Sequence, residues 1–189
     1  VVTGELNDGM LIVDASETAK LQLVLDGINI KSETSAALYI LEADKVFLTL
    51  AERTENTLSN AGSFIPVDDS NIDAVIFSRD DLTINGSGNL TITAPAGHGI
   101  VSKDELTITG GNLSVTCANH GLNGKDSVCI SGGNFTITSG KDGIQADNDE
   151  DTTLGFIFIS GGSFDLNTQG DGISASSTLT IESGNFTIE

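Results

Sequence analysis

The chain has 189 residues, of which 8 are Lys or Arg and 27 are Asp or Glu, so its formal net charge at pH 7 is -19. Hydrophobic residues make up 38% of the sequence, too many for a disordered acidic tail, and eight cations are too few for the basic patch of a nucleic-acid-binding protein. The 22 glycines occur with only 2 prolines, which excludes collagen-like and Pro-rich linker sequences. No apolar run approaches the roughly 18 residues that span a membrane, so membrane insertion is not expected.

The N-terminal part of the chain carries a weak repeat. Residues 43–48 and 79–84 follow the pattern of residues 103–108, in which an Asp and a second charged residue precede aliphatic residues spaced two apart. Aliphatic residues two apart are typical of a strand with one buried face. Residues 51–72, which contain Pro66, predict a longer loop. We therefore expect 1–72 to continue the architecture of the rest of the chain in a less regular form.

From residue 73 onward, the sequence repeats with a period of about 22 residues. A Gly-Asn-Leu triplet or a relative of it begins at Gly88, Gly111, Gly133, Gly162 and Gly184, with spacings of 23, 22, 29 and 22. Each unit holds short segments of alternating apolar and polar residues, separated by glycine-rich breaks that leave no room for helices. Three short strands with their turns occupy about 22 residues, which is one coil of a parallel β-helix. We predict an all-β fold in which 1–189 form one solenoid domain, with the clearest repeats at 73–189.

Equivalent residues on successive coils of a β-helix lie about 4.8 Å apart and form columns along its axis. The aligned apolar positions predict two interior columns. The first contains Leu90, Leu113, Phe135, Phe164 and Phe186, and the second contains Ile92, Val115, Ile137, Leu166 and Ile188. These side chains are expected to form the core, because burying large apolar side chains offsets the entropy lost on ordering a glycine-rich chain.

The repeat is interrupted once. A further repeated column consists of His98, His120, Asp142 and Asp171. Its steps of 22, 22 and 29 residues lengthen by seven in the same coil as the glycine column, and we assign the extra residues to 148–153. The chain reaches Glu189 while the strand pattern continues, so we expect truncation of the solenoid or a join to further domains of a longer chain.

Charged residues align at one corner of the coil. The aligned pairs are Arg79 with Asp80, Lys103 with Asp104, and Lys125 with Asp126. Stacked carboxylates about 5 Å apart repel unless a proton or a cation lies between them, and dense oxygen donors suit Ca²⁺. The predicted calcium ligands of this corner and of the insertion are Asp104, Asp126, Asp147, Asn148, Asp149 and Asp151. The alternative is that Lys and Asp neutralise each other on a solvated face.

The Asp-Gly column offers a second candidate calcium site, at Asp142 and Asp171. Asp142 lies at the opposite end of its strand from Asp147, so the two sites would hold separate ions. His98 and His120 belong to the same column, but they lack the Cys or Glu neighbours of a typical transition-metal site. A turn role is therefore favoured for the two histidines.

Rows of hydroxyl side chains are predicted on outward positions, with two aromatic residues among them. Phe77 aligns with Asn123, and Phe158 aligns with Thr107. A regular array of hydroxyls with exposed aromatics matches the repeating face of a polysaccharide, although β-propensity alone explains most of the threonines. The candidate carbohydrate-binding residues are Phe77, Phe158, Arg79, Lys103 and Lys125.

These motifs resemble the bacterial family of carbohydrate-binding parallel β-helix domains, which is related in fold to pectate lyases. The resemblance covers roughly residues 20–189 and rests on residues 102–111, on 124–128, and above all on 142–144 followed by the acidic insertion. It implies a right-handed, single-stranded β-helix in a secreted or cell-surface bacterial protein. It also implies bound Ca²⁺, with Asp147 and Asp149 as the best-matched ligands, and affinity for cellulose-like or pectin-like polysaccharide without lytic activity. His98 and His120 stand where the family pattern has Asp, which argues against a metal in those coils.

An enzyme is the less favoured interpretation. Arg79, Lys103 and Lys125 are the cations in a suitable position for a lyase base, and each has an adjacent Asp that would keep it protonated. Asp80 and Asp81 are adjacent, so on a strand they face opposite sides, unlike a glycosidase pair. We therefore predict a calcium-binding, non-catalytic polysaccharide-binding module. The alternative is a structural stalk or adhesin segment of a bacterial surface protein, and a pectate-lyase-type enzyme is less favoured again.

Overall fold

The computed structural model describes residues 1–67 and 69–189. These residues form 21 β-strands, numbered β1 to β21 in chain order, and they contain no helix. A helix long and apolar enough to cross a membrane is therefore not found in the described parts of the chain. The strands pair in parallel, as the repeat predicts.

The strands stack into three faces. Face A contains β2 (Leu11–Asp14), β4 (Leu38–Glu42), β7 (Ala74–Ser78), β10 (His98–Ser102), β13 (Leu122–Gly124), β16 (Ile144–Ala146) and β19 (Ile173–Ala175). Face B contains the first half of β3 (Lys20–Ser32), then β5 (Lys45–Leu50), β8 (Asp81–Gly86), β11 (Glu105–Ile108), β14 (Ser127–Ile130), β17 (Phe156–Ile159) and β20 (Leu179–Ile181). Face C contains β1 (Val2–Leu6), the second half of β3, β6 (Glu55–Asn60), β9 (Asn89–Ala94), β12 (Asn112–Cys117), β15 (Asn134–Ser139), β18 (Ser163–Thr168) and β21 (Asn185–Ile188).

One strand from each face makes one coil, and the seven strands of face A correspond to seven coils. Ile100 pairs with Leu122 and Leu122 pairs with Ile144, so the coils repeat at the predicted step. Ile144 pairs with Ile173 across the longer coil. The extra residues lie in 147–155, between β16 and β17, where the predicted insertion is confirmed. The predicted parallel β-helix is likewise confirmed.

The predicted interior columns fill the space between the faces. Leu90 pairs with Leu113, Leu113 pairs with Phe135, and the column continues through Phe164 to Phe186. The three phenylalanine rings stack with centroids 4.8 Å and 4.5 Å apart. Members of both columns are buried except in the last coil. Stacked apolar side chains therefore build the core, and each coil buries its apolar residues on its neighbours.

Gly86 illustrates why the repeat is rich in glycine. It ends β8 with a φ of +100°, and a Cβ atom there would lie 2.1 Å from the carbonyl oxygen of Leu50 on the coil below. Gly4 has a similar φ of +108°, but no atom lies within 4 Å of its Cβ position. Glycine is therefore required at position 86 by both the left-handed backbone conformation and the close approach of two coils. At position 4 only the backbone conformation requires it.

The predicted loop over 51–72 is wrong for residues 55–60, which form β6. β6 pairs with β3 and β9, so the chain leaves the solenoid only at 61–73. Asp68, within that excursion, lies outside the described residues. The strand was missed because two of its three inward positions are Asn56 and Asn60, which hide the apolar alternation. The Asn56 side-chain oxygen accepts the backbone N–H of Gly27 and Ile28, which satisfies a buried polar group inside the solenoid.

Phe64 and Ile72 of this excursion pack on the outer side of face A. The small apolar cluster on that side comprises Ala36, Tyr39, Ile72, Ala74, Phe77 and Val101. Phe77 is 0% exposed, so its predicted role as a surface carbohydrate-binding residue is wrong. The alignment itself was correct, because Phe77 pairs with Val101 and Val101 pairs with Asn123 on the outward row. The repeat predicts that the Phe77 side chain points outward, but it does not predict that a segment from outside the repeat covers it.

Candidate functional site

The corner between faces A and B carries two parallel columns of charge. Two residues connect each face A strand to the next face B strand in three successive coils. These turns are Arg79 with Asp80, Lys103 with Asp104, and Lys125 with Asp126. The turns stack in register, because Lys103 N–H donates to the Ser78 carbonyl at 2.8 Å and Lys125 N–H donates to the Ser102 carbonyl at 2.9 Å. We call the three cations the cation column and the three aspartates the carboxylate column.

Burial, together with nearby carboxylates, acts on the carboxylate column. Burial, followed by the nearby charge of Asp81 and a hydrogen bond with Asp126, raises the pKa of Asp104 to about 6. Asp126 Oδ1 also accepts a hydrogen bond from Asn148 Nδ2 at 2.7 Å, which extends the column into the next coil. Burial also raises the pKa of Asp80, although its Oδ2 accepts the Ala43 N–H at 2.9 Å. The column therefore favours a proton or another cation between its members.

The cation column is only partly neutralised. Lys125 Nζ lies 3.2 Å from Glu150 Oε2, and Lys103 Nζ lies 5.3 Å from the centroid of the Phe77 ring. Over residues 1–67 and 69–189, neither Arg79 nor Lys103 forms an ion pair, and both are exposed. Simple neutralisation by adjacent aspartates therefore does not account for these two cations. They present positive charge to solvent on a strongly negative protein.

A polar cleft of about 380 Å³ opens at the lower end of the corner. Its lining consists of Glu17, Leu41, Glu42, Ala43, Asp44, Arg79, Asp80 and Asp104. The three acidic residues from the first coils were missed in the sequence because that part of the chain departs from the 22-residue spacing. The cleft groups carboxylates around Arg79 and continues the charged surface of the corner.

The insertion loop, residues 147–155, is folded onto the same corner by one buried amide. Asn148 is 7% exposed, and its Oδ1 accepts the backbone N–H groups of Glu150 at 3.0 Å and Asp151 at 2.9 Å. Asp151 Oδ1 accepts the N–H of Thr153 at 2.8 Å, and hydrogen bonds from Thr153 lower the pKa of Asp151. Asn148 thus fixes the loop on one side and contacts the carboxylate column on the other.

The predicted calcium ligands Asp104 and Asp126 and those of the insertion lie at one corner but not around one point, whereas Asp142 and Asp171 lie at the turns between faces C and A. The described residues include no group of three or more His, Cys, Asp or Glu side chains placed to hold a metal ion. Asp104 and Asp126 supply hard oxygen donors, and the carboxylates of Asp147 and Asp149 are exposed nearby in sequence. The side-chain oxygen of Asn148 is already occupied by loop N–H groups. Calcium binding at this corner stays a prediction.

The turns between faces C and A stack the two histidines on Asp142. The rings of His98 and His120 are parallel, with centroids 5.1 Å apart. His98 Nδ1 accepts the His120 N–H at 3.3 Å, and His120 Nδ1 accepts the Asp142 N–H at 3.2 Å. Asp142 Oδ1 in turn accepts the Asp171 N–H at 2.8 Å. A neutral histidine therefore takes the acceptor role of an aspartate, which supports the turn role, while metal binding by Asp142 and Asp171 stays a prediction.

Acid is expected to weaken this histidine column. Burial, followed by the charge of His120, lowers the pKa of His98 from 6.5 to about 4. Lys103 and Lys141 act in the same direction, and Asp73 Oδ2 lies 3.7 Å from His98 Nε2. The pKa of His98 is lower in the folded state than in the unfolded state. The unfolding free energy is therefore highest above about pH 6.5, where His98 is neutral in both states, and it falls as the pH is lowered towards 4. The expected loss is about 2 kcal/mol after allowance for partial exposure.

His98→Gln tests this expectation. The glutamine amide oxygen can still accept the His120 N–H, but it does not titrate. Urea unfolding of both proteins at a series of pH values should give a smaller decline for the variant between about pH 6.5 and 4. Equal declines in the two proteins would show that His98 does not control acid stability.

Face B carries the aromatic residues that reach the surface. Its central outward row runs through Phe47, Thr83, Thr107, Cys129 and Phe158. Phe158 is half-buried, so its predicted outward position is confirmed. Phe47 and Phe156 are also half-buried on this face, and the sequence analysis did not single them out. The alignment of residues 43–48 with 79–84 already placed Phe47 in the row of Thr83.

The whole chain, residues 1–189, matches the family model described as "Carbohydrate-binding domain-containing protein". A curated protein of the same description from Acetivibrio thermocellus is 44% identical over 115 residues, which are 60% of this chain and 40% of that protein. The match thus spans about two fifths of the length of the curated relative. A solved structure described as the polysaccharide lyase-like protein from C. thermocellum, gadolinium derivative, superposes with a TM-score of 0.88. It is 36% identical, and the alignment covers 97% of this chain and 85% of the other.

The chain belongs to the carbohydrate-binding domain family. This membership confirms the resemblance predicted from residues 142–144 and the acidic insertion. Together with the polysaccharide lyase-like fold of the solved relative, it supports a carbohydrate-binding role.

Proposed function

We propose that the chain is a non-catalytic module that binds polysaccharide along the corner between faces A and B, with calcium at the carboxylate column. The observation that carries this proposal is the stack of Arg79, Lys103 and Lys125, of which the first two have no ion-pair partner in the described parts of the chain. A polyuronate presents carboxylates at regular intervals, and stacked guanidinium and ammonium groups can bind them along a common axis. Neutral glycan hydroxyls can accept hydrogen bonds from the same donors.

Calcium would join two negatively charged partners at this corner. Ca²⁺ takes six to eight oxygen ligands in flexible geometry, so it can accept oxygens from both the protein and a polymer carboxylate. Asp104, Asp126, Asp147 and Asp149 are the side chains we assign to hold it. The solved relative is a gadolinium derivative, and gadolinium is a hard cation that prefers the same oxygen donors. The raised pKa of Asp104 supports the assignment, because a carboxylate that favours a proton there also favours a metal cation.

The stacking of Asp104 on Asp126 differs from the arrangement of a glycosidase pair. Glycosidases hold two carboxyl groups about 5 to 9.5 Å apart, on either side of a sugar. Asp104 and Asp126 instead stack side by side on adjacent coils, where the Asp126 N–H donates to the Asp104 carbonyl at 3.2 Å, so no sugar fits between their carboxyl groups. This arrangement of the two carboxyl groups favours binding without cleavage. A secreted or cell-surface location in a bacterium is part of the same proposal, since it is where a polysaccharide would be met.

Calcium is expected to raise stability and to support retention on an acidic polymer. Calcium at about 100 times its Kd should add about 2.7 kcal/mol to the unfolding free energy, and EDTA should remove that increment. The measurement pairs thermal melts with pull-downs on insoluble polygalacturonate and on cellulose, each with calcium and with EDTA. We expect the chelator to lower the melting temperature and the retention on polygalacturonate.

Asp104→Asn with Asp126→Asn should remove the calcium effect on both readouts. Asp165→Asn, an exposed change on face C, is the matched control and should keep the effect. A melting temperature and a retention on polygalacturonate that do not change when EDTA is added would contradict the calcium assignment. Retention on neither polymer would contradict the proposed function and leave a structural stalk as the better explanation.

A further inference from the structure

A shallow pocket of about 440 Å³ lies on face B beside the insertion loop. Its lining includes Phe156, Phe158, Thr152, Thr153, Thr178 and Thr180. The two phenylalanines are two residues apart on β17, so their rings lie on the same outward side of the sheet. The threonines come from the loop on one side and from the next coil on the other. The pocket thus joins an aromatic floor to hydroxyl groups at its rim.

The lining is uncharged, in contrast to the corner. In the described part of the chain, no Asp, Glu, Lys or Arg side chain lines the pocket, although the chain has 27 acidic residues. Cys129 also lines it, and burial raises the pKa of that thiol, which keeps it neutral. An acidic sugar would find no cation here and would meet the negative field of the protein. The charge distribution therefore selects an uncharged ligand.

A pyranose ring combines the two surfaces that this lining complements. One face of the ring presents C–H groups that pack on an aromatic side chain, and the ring edge carries hydroxyls that need hydrogen-bond partners. Thr153 Oγ1 donates to Asp151 Oδ1 at 2.6 Å, so its lone pairs remain available to accept from a ligand hydroxyl. Phe156 and Phe158 are half-buried, so their rings are held by neighbours yet reach solvent.

The insertion loop links the pocket to the candidate site at the corner. The loop that forms its wall is fixed by Asn148, whose amide donates to Asp126 of the carboxylate column at 2.7 Å. We infer that the pocket is a subsite for an uncharged pyranose unit of a polysaccharide, with Phe158 as the stacking platform and the insertion loop as its wall. This inference rests on the proposed function and places its uncharged sugar units in a separate pocket on face B, away from the charged corner.

Phe158→Ala is the direct test, with a soluble cello-oligosaccharide as the uncharged probe and polygalacturonate as the charged one. Loss of the ring should weaken cello-oligosaccharide binding at least about tenfold in calorimetric titrations. Polygalacturonate binding, assigned to the corner, should change less than about twofold. Phe158→Tyr keeps the ring and should retain binding of both probes.

Phe47→Ala is the matched control, because Phe47 is a half-buried residue in the same outward row, four coils below Phe158. It should leave cello-oligosaccharide binding unchanged. Equal affinities of wild type and Phe158→Ala, or equal losses in Phe158→Ala and Phe47→Ala, would overturn the subsite. Wild type that binds polygalacturonate but no cello-oligosaccharide would overturn the subsite and keep the proposed function, whereas binding of neither probe would overturn both.

Discussion

Phe164→Ala is expected to destabilise the protein by about 3 to 5 kcal/mol, the range measured for truncation of a buried aromatic residue. Phe164 is 2% exposed and stacks between Phe135 at 4.8 Å and Phe186 at 4.5 Å. Its removal takes away contacts on both sides and leaves a cavity that rigid strands of neighbouring coils cannot fill. The midpoint of urea unfolding should fall accordingly.

We also predict where in the solenoid the Phe164→Ala protein loses stability. Each coil of a solenoid contacts mainly its neighbours, so the opening should concentrate in the coils of β15, β18 and β21. Hydrogen exchange should accelerate there first. Phe164→Leu should cost less, because it preserves part of the volume, and Thr116→Ala on exposed face C should stay within about 0.5 kcal/mol of wild type. A Phe164→Ala protein that unfolds like wild type would mean that the phenylalanine column is not the core.

Removal of the cation column should have the largest effect on binding. The triple variant Arg79→Gln, Lys103→Gln and Lys125→Gln is expected to bind polygalacturonate about a hundredfold more weakly, if each cation contributes about 1 kcal/mol. Its fold should persist, because the first two side chains are exposed and form no ion pair in the described parts of the chain. Sedimentation with the polymer at several salt concentrations measures both the affinity and its charge dependence.

The matched control replaces three other cations, with Lys31→Gln, Arg53→Gln and Lys141→Gln. Both triple variants lower the net charge by three, so general repulsion from the polymer is equal in the two proteins. We expect the control to lose little affinity. Similar losses in both variants would show that net charge, and not the cation column, governs binding.

The repeated part of the fold could be predicted from the sequence because each coil obeys the same constraints. Inward apolar residues such as Leu113 and Phe135 must pair with their equivalents, and close coil contacts such as that at Gly86 admit no side chain. These constraints recur at the coil spacing, so they give strands, register and core together. The turn pairs of the corner followed from the same spacing, which is why the two charge columns were found.

The features that the sequence did not predict depend on contacts that do not recur from coil to coil. Asn56 and Asn60 occupy inward positions of β6, where hydrogen bonds replace apolar contacts, so the strand is invisible to a hydrophobic pattern. Phe77 points outward in register, but the loop that buries it comes from outside the repeat. The acidic wall of the cleft comes from the irregular first coils, including Glu17 and Glu42. Contacts between segments so far apart in the sequence cannot be predicted from the repeat and are seen only in the three-dimensional structure.

The most direct test of the account follows wild-type protein and polymer together. Polygalacturonate is titrated with the protein in calcium, while bound protein is measured by sedimentation and unsaturated uronide by ultraviolet absorbance. We predict saturable binding with flat absorbance throughout prolonged incubation. Rising absorbance would identify a lyase, and a supernatant that keeps all of the protein would show that this corner does not bind the acidic polymer.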